Sequence, residues 1–463
     1  MSETKVEDST EEKSKCFIQQ RVYLNRESIL TELLRIPHFN SLLNMFFSFI
    51  ILMLFHTIVT DWLQYGFFEH FHHIEWVTEE FSKPSVVILS LVILYISAIS
   101  TFVLLKIWII LLLKFKNLNK LIHIIVSMSY LTIIGFIVLF PVLLAINIYI
   151  PPCSSAFIVY EQIRMIMKLH AYVRSIVPVL QESLVEARNN NQNRENLKSI
   201  MSWSKFLYFM IIPTLIYRDS YPKRTSINYQ YVVACFTQFV LCIIFMYYIF
   251  IHLMRPVFID FDSSYLTKEI IIPKLFLTIL PTILMMLTLF FCFLHLWLNA
   301  FAELTKFGDR QFYKDWWNAT SLSDYLRTWN VLIHDWLHTY VYRDIAIIVF
   351  KLTKNQRISK SIGTISVLLF SALVHEYVLA YCFRFFYPVL LTVYFLSGTV
   401  LYFIKADRTS RISNIMVWLG MYIGNTFFVT LYSLEWYARK NCIRKIDGYL
   451  DFFIPRSLLC ETI

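Results

Sequence analysis

The chain is poor in charged residues and in glycine. Asp, Glu, Lys and Arg make up only 16% of its 463 residues, whereas a soluble globular protein carries about 25%. Its 8 glycines leave little material for the glycine-rich loops that cradle phosphate groups. The sequence contains neither a P-loop nor a dinucleotide-binding fingerprint. These shortages argue against a water-soluble domain and against nucleotide chemistry of those two kinds.

The 8 cysteines form no metal-binding or redox motif. There is no C-x-x-C pair, no zinc-type spacing and no HExxH helix, so we expect no bound metal. Most of the cysteines sit in or beside apolar runs, where cysteine usually behaves as a small buried hydrophobe. Cys442 and Cys460 differ because they follow the last apolar run in a polar tail. A disulfide between them would require that tail to be lumenal or extracellular.

Apolar and aromatic residues are abundant instead. Hydrophobic residues make up 57% of the chain and aromatic residues 17%, and apolar runs of about 20 residues recur along almost all of it. Only helices and closed barrels satisfy backbone polar groups in lipid, and continuous rather than alternating apolar runs favour helices. We therefore expect an all-α, polytopic membrane protein. About nine transmembrane helices are predicted, near residues 41–60, 84–112, 121–149, 153–180, 229–254, 271–302, 362–385, 388–404 and 413–436.

The segment 153–180 is the least regular of these predicted spans because it carries Glu161, Arg164 and Lys168. It is either a span buried against other helices or an interfacial helix. A later stretch, 203–217, is apolar but too short, and too interrupted by proline, for an easy crossing.

The distribution of charge predicts how the chain crosses the membrane. A short basic loop contains Lys114, Lys116 and Lys120, whereas the loop 61–83 is acidic. Since basic loops mark the cytosolic side, we expect a cytosolic N-terminus and an acidic loop on the opposite side. An odd number of spans then leaves the C-terminus lumenal, although basic residues in the tail oppose this orientation. The net charge of +10 has the same origin, and no nucleic-acid-reading motif accompanies it, so nucleic-acid binding is not expected.

Three parts of the chain follow from this pattern. Residues 1–36 are too polar for a cleavable signal peptide and are predicted to be a largely disordered cytosolic tail that ends in a short helix near 32–34. Residues 37–440 are predicted to be the membrane-embedded domain. Residues 441–463 are predicted to be a lumenal tail.

His375 lies deep in the apolar run 362–385. An ionisable side chain in the middle of a span is costly in lipid and normally faces a polar cavity. Ser371 precedes it by one helical turn and shares its helix face. A functional histidine here would be a general base, since imidazole takes up a proton readily near physiological pH. The alternatives are a structural histidine bonded to a neighbouring helix, or one neutralised by Glu376.

A second candidate site lies in residues 312–344, which mix charged with aromatic side chains. On a helix these residues would form a polar stripe opposite an aromatic one. The polar stripe contains Asp324, Arg327, His334 and His338, with Asn330 beside it. An amphipathic helix lying at the bilayer surface explains the two stripes. It explains the Trp-Trp-Asn cluster and the concentration of Asn, Arg and His less well.

The segment FYKDWWN at 312–318 resembles the FYxDWWN signature of the sterol O-acyltransferase branch of the membrane-bound O-acyltransferase family. Its matching residues are Phe312, Tyr313, Asp315, Trp316, Trp317 and Asn318. The segments RTWNVLIHDWL (327–337) and SALVHEYVLA (371–380) resemble the two active-site segments of that family. Shorter matches lie at 160–173, 213–222, 295–304 and 435–439, so the resemblance runs from about residue 26 to the end of the chain.

The resemblance implies a membrane fold that encloses a buried reaction chamber. It also implies esterification of a sterol 3-hydroxyl by long-chain acyl-CoA in the endoplasmic reticulum membrane. His375 matches the family's catalytic base, and Asn330 matches the residue that donates a hydrogen bond to the developing oxyanion. Acyl-CoA is then a co-substrate, and no cofactor is implied. A homo-oligomer, either a dimer or a dimer of dimers, is a further expectation from the family.

Further ligand contacts are carried over by motif. Those to acyl-CoA map to Arg327, Asn330, His334, Tyr342, Lys360 and Ser371. Asp324 joins them, although the family more often has Asn at this position. His38, just before the first span, matches a histidine near a sterol site, and the alternative is an interfacial histidine.

Two other functions stay open at this point. A related acyltransferase would use diacylglycerol, a fatty alcohol or another lipid hydroxyl, and the ester that forms would distinguish it. A channel or transporter would use His375 for the passage of protons or ions, and it would show flux without acyl transfer.

Overall fold

The structure is a computed structural model that describes residues 21–65, 78–189, 200–261, 267–404, 407, 409–446 and 448–460. Helices make up almost all the regular structure of these residues, and the β-pairing among them amounts to two isolated bridges. The predicted all-α fold is therefore confirmed. The first 20 residues of the predicted N-terminal tail and the last 3 of the C-terminal tail lie outside this part of the chain.

Seven helices in the described residues are long and apolar enough to cross a membrane. They are α2 (Pro37–Tyr65), α3 (Pro84–Lys114), α4 (Asn119–Asn147), α7 (Tyr229–Phe258), α8 (Lys268–Leu304), α11 (Gln356–Phe383) and α13 (Arg411–Asn441). A polytopic membrane protein is thus supported, but the predicted number of nine spans is not reached.

The two remaining predicted spans differ from the other seven for physical reasons. The segment 153–180 falls within α5 (Pro152–Asn189), whose charges keep it outside the apolar set. The segment 388–404 forms only a short apolar helix, α12 (Leu390–Tyr402). At a rise of 1.5 Å per residue, a helix of this length covers about two thirds of a 30 Å hydrocarbon core.

The chain divides into two compact units, one made of residues up to 61 together with 222 onward, and the other of residues 62–221. In the second unit α3 packs along α4 and α5. The buried amino group of Lys168 on α5 donates to the carbonyls of Phe209 (2.5 Å) and Ile212 (2.8 Å) at the end of α6 (Trp203–Ile211). Carbonyls at a helix C-terminus have no partner within the helix, so a buried donor satisfies them there.

The first unit contains every predicted site residue. In it α8 packs against α7 and α13, and α11 packs against α12 and the helix that precedes it. That preceding helix, α10, consists of Val331–Leu337, a π-helical stretch His338–Tyr342 and Arg343–Thr353. Similar π stretches interrupt α7 and α8, and another forms the first part of α12. Such widened turns inside α-helices are frequent at functional sites.

Residues 21–36 of the predicted disordered tail are packed against this unit. The backbone of Arg26 pairs with the segment around Gly308, with Arg26 N bonded to Gly308 O at 2.9 Å. Ser28 is fully buried, and the short helix α1 (Ile29–Leu33) follows it. Within this part of the predicted tail, Arg21 and Arg26 pair with Asp309, and Glu27 pairs with Arg224.

The C-terminal segment is tied to the end of α13. The predicted disulfide between Cys442 and Cys460 is present, with a Cα–Cα distance of 5.2 Å. The fully buried carboxylate of Glu435 on α13 accepts hydrogen bonds from the backbone nitrogens of Arg456 and Ser457, both at 3.0 Å. The tail is thus held covalently and by a buried charge at the same helix end.

Candidate active site

Asn330 lies at a break between two helices. The helix α9 (Leu322–Trp329) ends immediately before it, and α10 begins immediately after it. Its side-chain oxygen accepts a hydrogen bond from Ile333 N at 3.2 Å, as the N-cap residue of α10. The prediction of one unbroken stripe from Asp324 to His338 is therefore wrong. Asn favours the N-cap over the helix interior because its side chain satisfies backbone N–H groups left free at a helix start.

The N-cap bond uses the oxygen of the Asn330 amide and leaves its NH2 group for a ligand. The amide oxygen is occupied by the N-cap bond, so the amide NH2 group is directed away from the helix start. That group is a pair of hydrogen-bond donors. The side chain is half-buried. The local fold therefore fixes which end of the amide is available to a ligand.

The signature segment holds this break in place. The carbonyl of Phe312 accepts from Val331 N at 2.9 Å, and Lys314 N donates to the carbonyl of Thr328 at 2.8 Å. These two backbone bonds lie on either side of Asn330, so they clamp its neighbours. Phe312 is fully buried and cannot be displaced without opening the core.

The rest of the signature forms an aromatic and polar support. Tyr313 is fully buried, and its hydroxyl lies 2.7 Å from Nδ1 of His295 on α8. Burial raises the pKa of Tyr313, so the hydroxyl stays protonated. Trp316 is also buried, and its ring centroid lies 4.6 Å from that of Trp329 and 5.4 Å from that of Trp418 on α13. These rings position α9, which leads directly to Asn330.

Trp317, Asp315 and Asn318 complete the signature. The carbonyl of Trp317 accepts from the indole nitrogen of Trp418 at 3.1 Å and from the amide of Asn414 at 3.0 Å. Asp315 and Asn318 are exposed. The buried members of the signature therefore act as structural supports of the helix break.

Three rings are stacked along one face of α10. The ring of His338 stacks on His334 at a centroid distance of 6.1 Å and on Tyr342 at 5.0 Å. The predicted ligand residues His334 and Tyr342 are thus brought together through His338, which the sequence placed on the polar stripe without assigning it a ligand contact. Burial and the neighbouring His334 lower the pKa of His338, so its ring is neutral at physiological pH. The spacing of four residues between the rings was the signal that could have revealed the stack.

The ring stack of α10 packs against α11 at Gly363. A Cβ atom at Gly363 would lie 3.0 Å from Cδ2 of Tyr342 and 3.3 Å from its carbonyl oxygen. The missing side chain lets the two helices approach closely enough to fix the Tyr342 ring.

Asp324 and Arg327 form an ion pair at 2.8 Å on α9. Asp324 N also donates to the hydroxyl of Ser321, which caps this helix. The Arg327 side chain is about half exposed (47%), so the pair lies at the surface of the unit. The departure from Asn at position 324 therefore gives Arg327 a carboxylate partner on its own helix.

The sequence predicts that His375 faces a polar cavity, but the structure does not bury this residue. Its side chain is exposed, whereas the neighbouring Glu376 is buried. Successive residues on a helix point about 100° apart, so one of the two ionisable groups faces the packed side and the other does not. Glu376 accepts from the hydroxyl of Tyr432 and from Leu391 N at 3.1 Å, which fixes the rotation of α11.

Ser371 and His375 lie one turn apart on α11, as their spacing predicts. Nδ1 of His375 lies 2.7 Å from the carbonyl oxygen of Ser371. A carbonyl can only accept, so Nδ1 carries the hydrogen of the neutral ring and Nε2 keeps its lone pair. The Ser371 residue therefore orients the ring through its backbone.

Two further predicted contacts lie at the surface. Lys360 is exposed in the second turn of α11, and His38 is exposed at the start of α2. Both side chains face outward from their helices. The arrangement agrees with contacts to a ligand that approaches from outside the helices.

Comparisons with known proteins give the family. The family model "MBOAT, membrane-bound O-acyltransferase family" matches residues 146–434. The chain is 37% identical to sterol O-acyltransferase 1 of Chlorocebus aethiops, over 96% of this chain and 78% of that protein. It is 36% identical to sterol O-acyltransferase 1 of Mus musculus over 96% and 80% of the two chains, and 32% identical to human sterol O-acyltransferase 2 over 96% and 81%.

A family match across more than half of the chain, with relatives similar over nearly its whole length, defines the class of protein. The chain belongs to the membrane-bound O-acyltransferase family. It is a membrane acyltransferase, and its similarity is to the sterol O-acyltransferase branch that the FYKDWWN segment indicates.

Proposed function

We propose that this protein transfers a long-chain acyl group from acyl-CoA to the 3-hydroxyl of a sterol, giving a sterol ester and free CoA. Similarity to sterol O-acyltransferases over 96% of the chain supports this proposal. The single observation that carries the mechanism is the bond between His375 Nδ1 and the Ser371 carbonyl. That bond leaves Nε2 free to accept a proton.

His375 is the proposed general base. Nε2 takes the proton of the sterol hydroxyl while the hydroxyl oxygen attacks the thioester carbonyl carbon. A carbon–oxygen bond forms, the carbon–sulfur bond breaks, and the leaving thiolate accepts the proton from the imidazolium. The exposure of the ring suits an acceptor that arrives from the lipid phase. No further cofactor is needed, because thiolate is a good leaving group.

Asn330 is the proposed donor to the oxyanion. As the hydroxyl attacks, the thioester oxygen becomes negative, and an amide NH2 group held in advance stabilises that charge. The N-cap bond through the amide oxygen supports this role, because it directs the NH2 group rather than the oxygen to the ligand.

Acyl-CoA is proposed to contact residues on α9, α10 and α11. These residues are Arg327, Asn330, His334, Tyr342, Lys360, Ser371 and Asp324. The exposed cations among them suit the phosphates of CoA, and the stacked rings suit its flat base. His38 is proposed to contact the sterol. The CoA head is soluble in water while the acyl chain and the sterol are soluble in lipid, so a site at the membrane receives each from its own phase.

Location and assembly follow the same proposal. We place the protein in the endoplasmic reticulum membrane, with residues 1–36 cytosolic and residues 441–463 lumenal. The lumen is oxidising, which supports a stable bond between Cys442 and Cys460. A homo-oligomer, as a dimer or a dimer of dimers, is proposed from the family.

An acceptor panel tests the proposed activity. Purified protein is given oleoyl-CoA with cholesterol, diacylglycerol or a fatty alcohol, and the ester products are measured. We expect sterol ester. Formation of the diacylglycerol or fatty-alcohol ester alone would assign a related acyltransferase, and ion flux in proteoliposomes without any ester would assign a transporter.

Replacement of the base tests the mechanism. We expect His375→Ala to lose at least about a hundredfold in turnover, with the protein still folded and still binding acyl-CoA. His56→Ala is the matched control, because His56 is another exposed histidine on a spanning helix. Turnover of His375→Ala close to that of the control would contradict the proposed role.

A further inference from the structure

Arg21 joins two acidic residues that are far apart in the sequence. Its Nη1 lies 2.7 Å from Oδ2 of Asp335 on α10, and its Nη2 lies 3.2 Å from Oδ1 of Asp309. The same Nη2 donates to the carbonyl of Gln311 at 3.1 Å. Asp309 is fully buried and the Arg21 side chain is 10% exposed. The planar guanidinium is suited to such a bridge, because its donors form a rigid fork.

Asp335 links Arg21 to His334 in the candidate site. Its second oxygen, Oδ1, lies 3.3 Å from Nδ1 of His334. Burial acts to raise the pKa of Asp335, but the hydrogen bonds and charges of His334 and Arg21 bring it below its ordinary value. The group is therefore an ionised carboxylate that can only accept. Arg21 and His334 share it, one on each oxygen.

The segment that carries Arg21 is anchored by other contacts. Arg26 binds Asp309 through Nε and Nη2, both at 3.0 Å. Its backbone is bonded to Gly308 O and Arg310 N. A Cβ atom at Gly308 would lie 2.9 Å from the carbonyl of Pro222, so only glycine allows this close approach. Among the described contacts, Arg26 binds Asp309 but not Asp335, whereas Arg21 binds both carboxylates. A comparison of the two arginines can therefore isolate the contact with Asp335.

We propose that Arg21 is a positioning residue for acyl-CoA, acting through Asp335 on His334. Held by Arg21, the Asp335 carboxylate accepts the Nδ1 hydrogen of His334 and thereby sets the orientation and tautomer of that ring. Its Nε2 is then presented to the ligand, and the His334, His338 and Tyr342 stack keeps one geometry. This inference rests on the proposed use of His334 in binding acyl-CoA.

The test compares Arg21→Gln with the matched control Arg26→Gln. Both variants remove one arginine from Asp309 on the same segment, but Arg21→Gln alone releases Asp335. We expect Arg21→Gln to raise the KM for acyl-CoA about tenfold, the size typical of a lost charged hydrogen bond. The kcat and the KM for sterol should stay near wild type. Arg26→Gln should leave the KM for acyl-CoA within about twofold of wild type.

Equilibrium binding separates this proposal from the proposed function. The Kd of a thioether analogue of oleoyl-CoA is measured for wild type and both variants, and it needs no turnover. A wild-type protein that forms no sterol ester would overturn the proposed function, while the Kd values would still test Arg21. Equal effects of the two arginine variants on Kd would overturn the positioning role, since both would then act by loosening the segment.

Two further variants guard against a folding defect. Arg21→Lys keeps the charge but cannot fork across two carboxylates, so its Kd should lie between those of wild type and Arg21→Gln. In the His334→Ala background, Arg21→Gln should have no additional effect on Kd, because the ring it positions is gone. Additive effects of the two changes would count against the relay through Asp335.

Discussion

At the residue scale, the site depends on side chains that serve the fold and the ligand at once. Asn330 caps α10 with its oxygen and leaves its NH2 group for a ligand. His375 is oriented by a carbonyl of its own helix, and the adjacent Glu376 fixes the rotation of that helix. In each case one polar contact within the protein decides which atom remains available for chemistry.

The double role of Asn330 can be separated by substitution. Asp at this position keeps a capping oxygen but has no donor, so we expect Asn330→Asp to stay near wild-type thermal stability while losing about 10²–10³ in kcat. Asn330→Ala should lose the same activity and, in addition, about 1 kcal/mol of stability with the cap. Steady-state kinetics and thermal unfolding measure the two quantities. An active Asn330→Asp protein would show that the NH2 group has no part in the reaction.

At the element scale, breaks and widened turns in the helices shape the site. The break at Asn330 and the π stretch His338–Tyr342 both lie in residues whose periodicity alone predicts one continuous helix. The backbone bonds from Phe312 and Lys314 hold the break from outside the helix. The local pattern of polar and apolar residues therefore does not predict the break, because the bonds that hold it come from a neighbouring segment.

The close contact between α10 and α11 gives a test at this scale. In Gly363→Ala the new methyl group would meet the Tyr342 ring at 3.0 Å, so the ring must shift. We expect a KM for acyl-CoA raised by about three- to tenfold, with a cost of about 1 kcal/mol or more in stability from overpacking. Gly420→Ala is the matched control, because a Cβ at Gly420 has no described atom within 4 Å. If both variants have wild-type KM values, the position of the Tyr342 ring has no importance for acyl-CoA.

At the scale of the whole molecule, the ends of the described chain are fastened to the body of the fold. Arg21 and Arg26 are held by Asp309, while Arg456 is held by Glu435 and Cys460 by the disulfide to Cys442. Hydrogen bonds from Arg456 hold the pKa of Asp451 below its usual range, so this carboxylate stays charged and adds to the anchor. Both polar ends thus contribute to the fold.

Loss of the disulfide tests the C-terminal anchor. The bond closes a loop with a sequence separation of 18, for which the chain-entropy account gives about 3 kcal/mol. We expect Cys442→Ser to lower the apparent Tm and to speed proteolysis of residues 443–460, and reductant should do the same to the wild-type protein. Cys153→Ser, which changes a free cysteine, should do neither. Unchanged proteolysis after reduction would show that Glu435 alone is a sufficient anchor.

The sequence by itself determined that this protein lies in a membrane, that its fold is all-α and to which family it belongs. Apolar runs of spanning length and a shortage of charge require helices in lipid, and FYKDWWN with the segments around Asn330 and His375 identified the acyltransferase family. It also singled out the two tail cysteines that form the disulfide. These features are encoded locally, in composition and in short motifs.

Only the tertiary structure decided how the site residues are presented. It exposed His375 and buried Glu376, it broke the helix at Asn330, and it brought Arg21 to Asp335 across a sequence separation of 314. Helical periodicity states which residues share a face but not which face meets a neighbour. Contacts between distant segments set the rotation of each helix, so the chemistry of the site became visible only when the chain was folded.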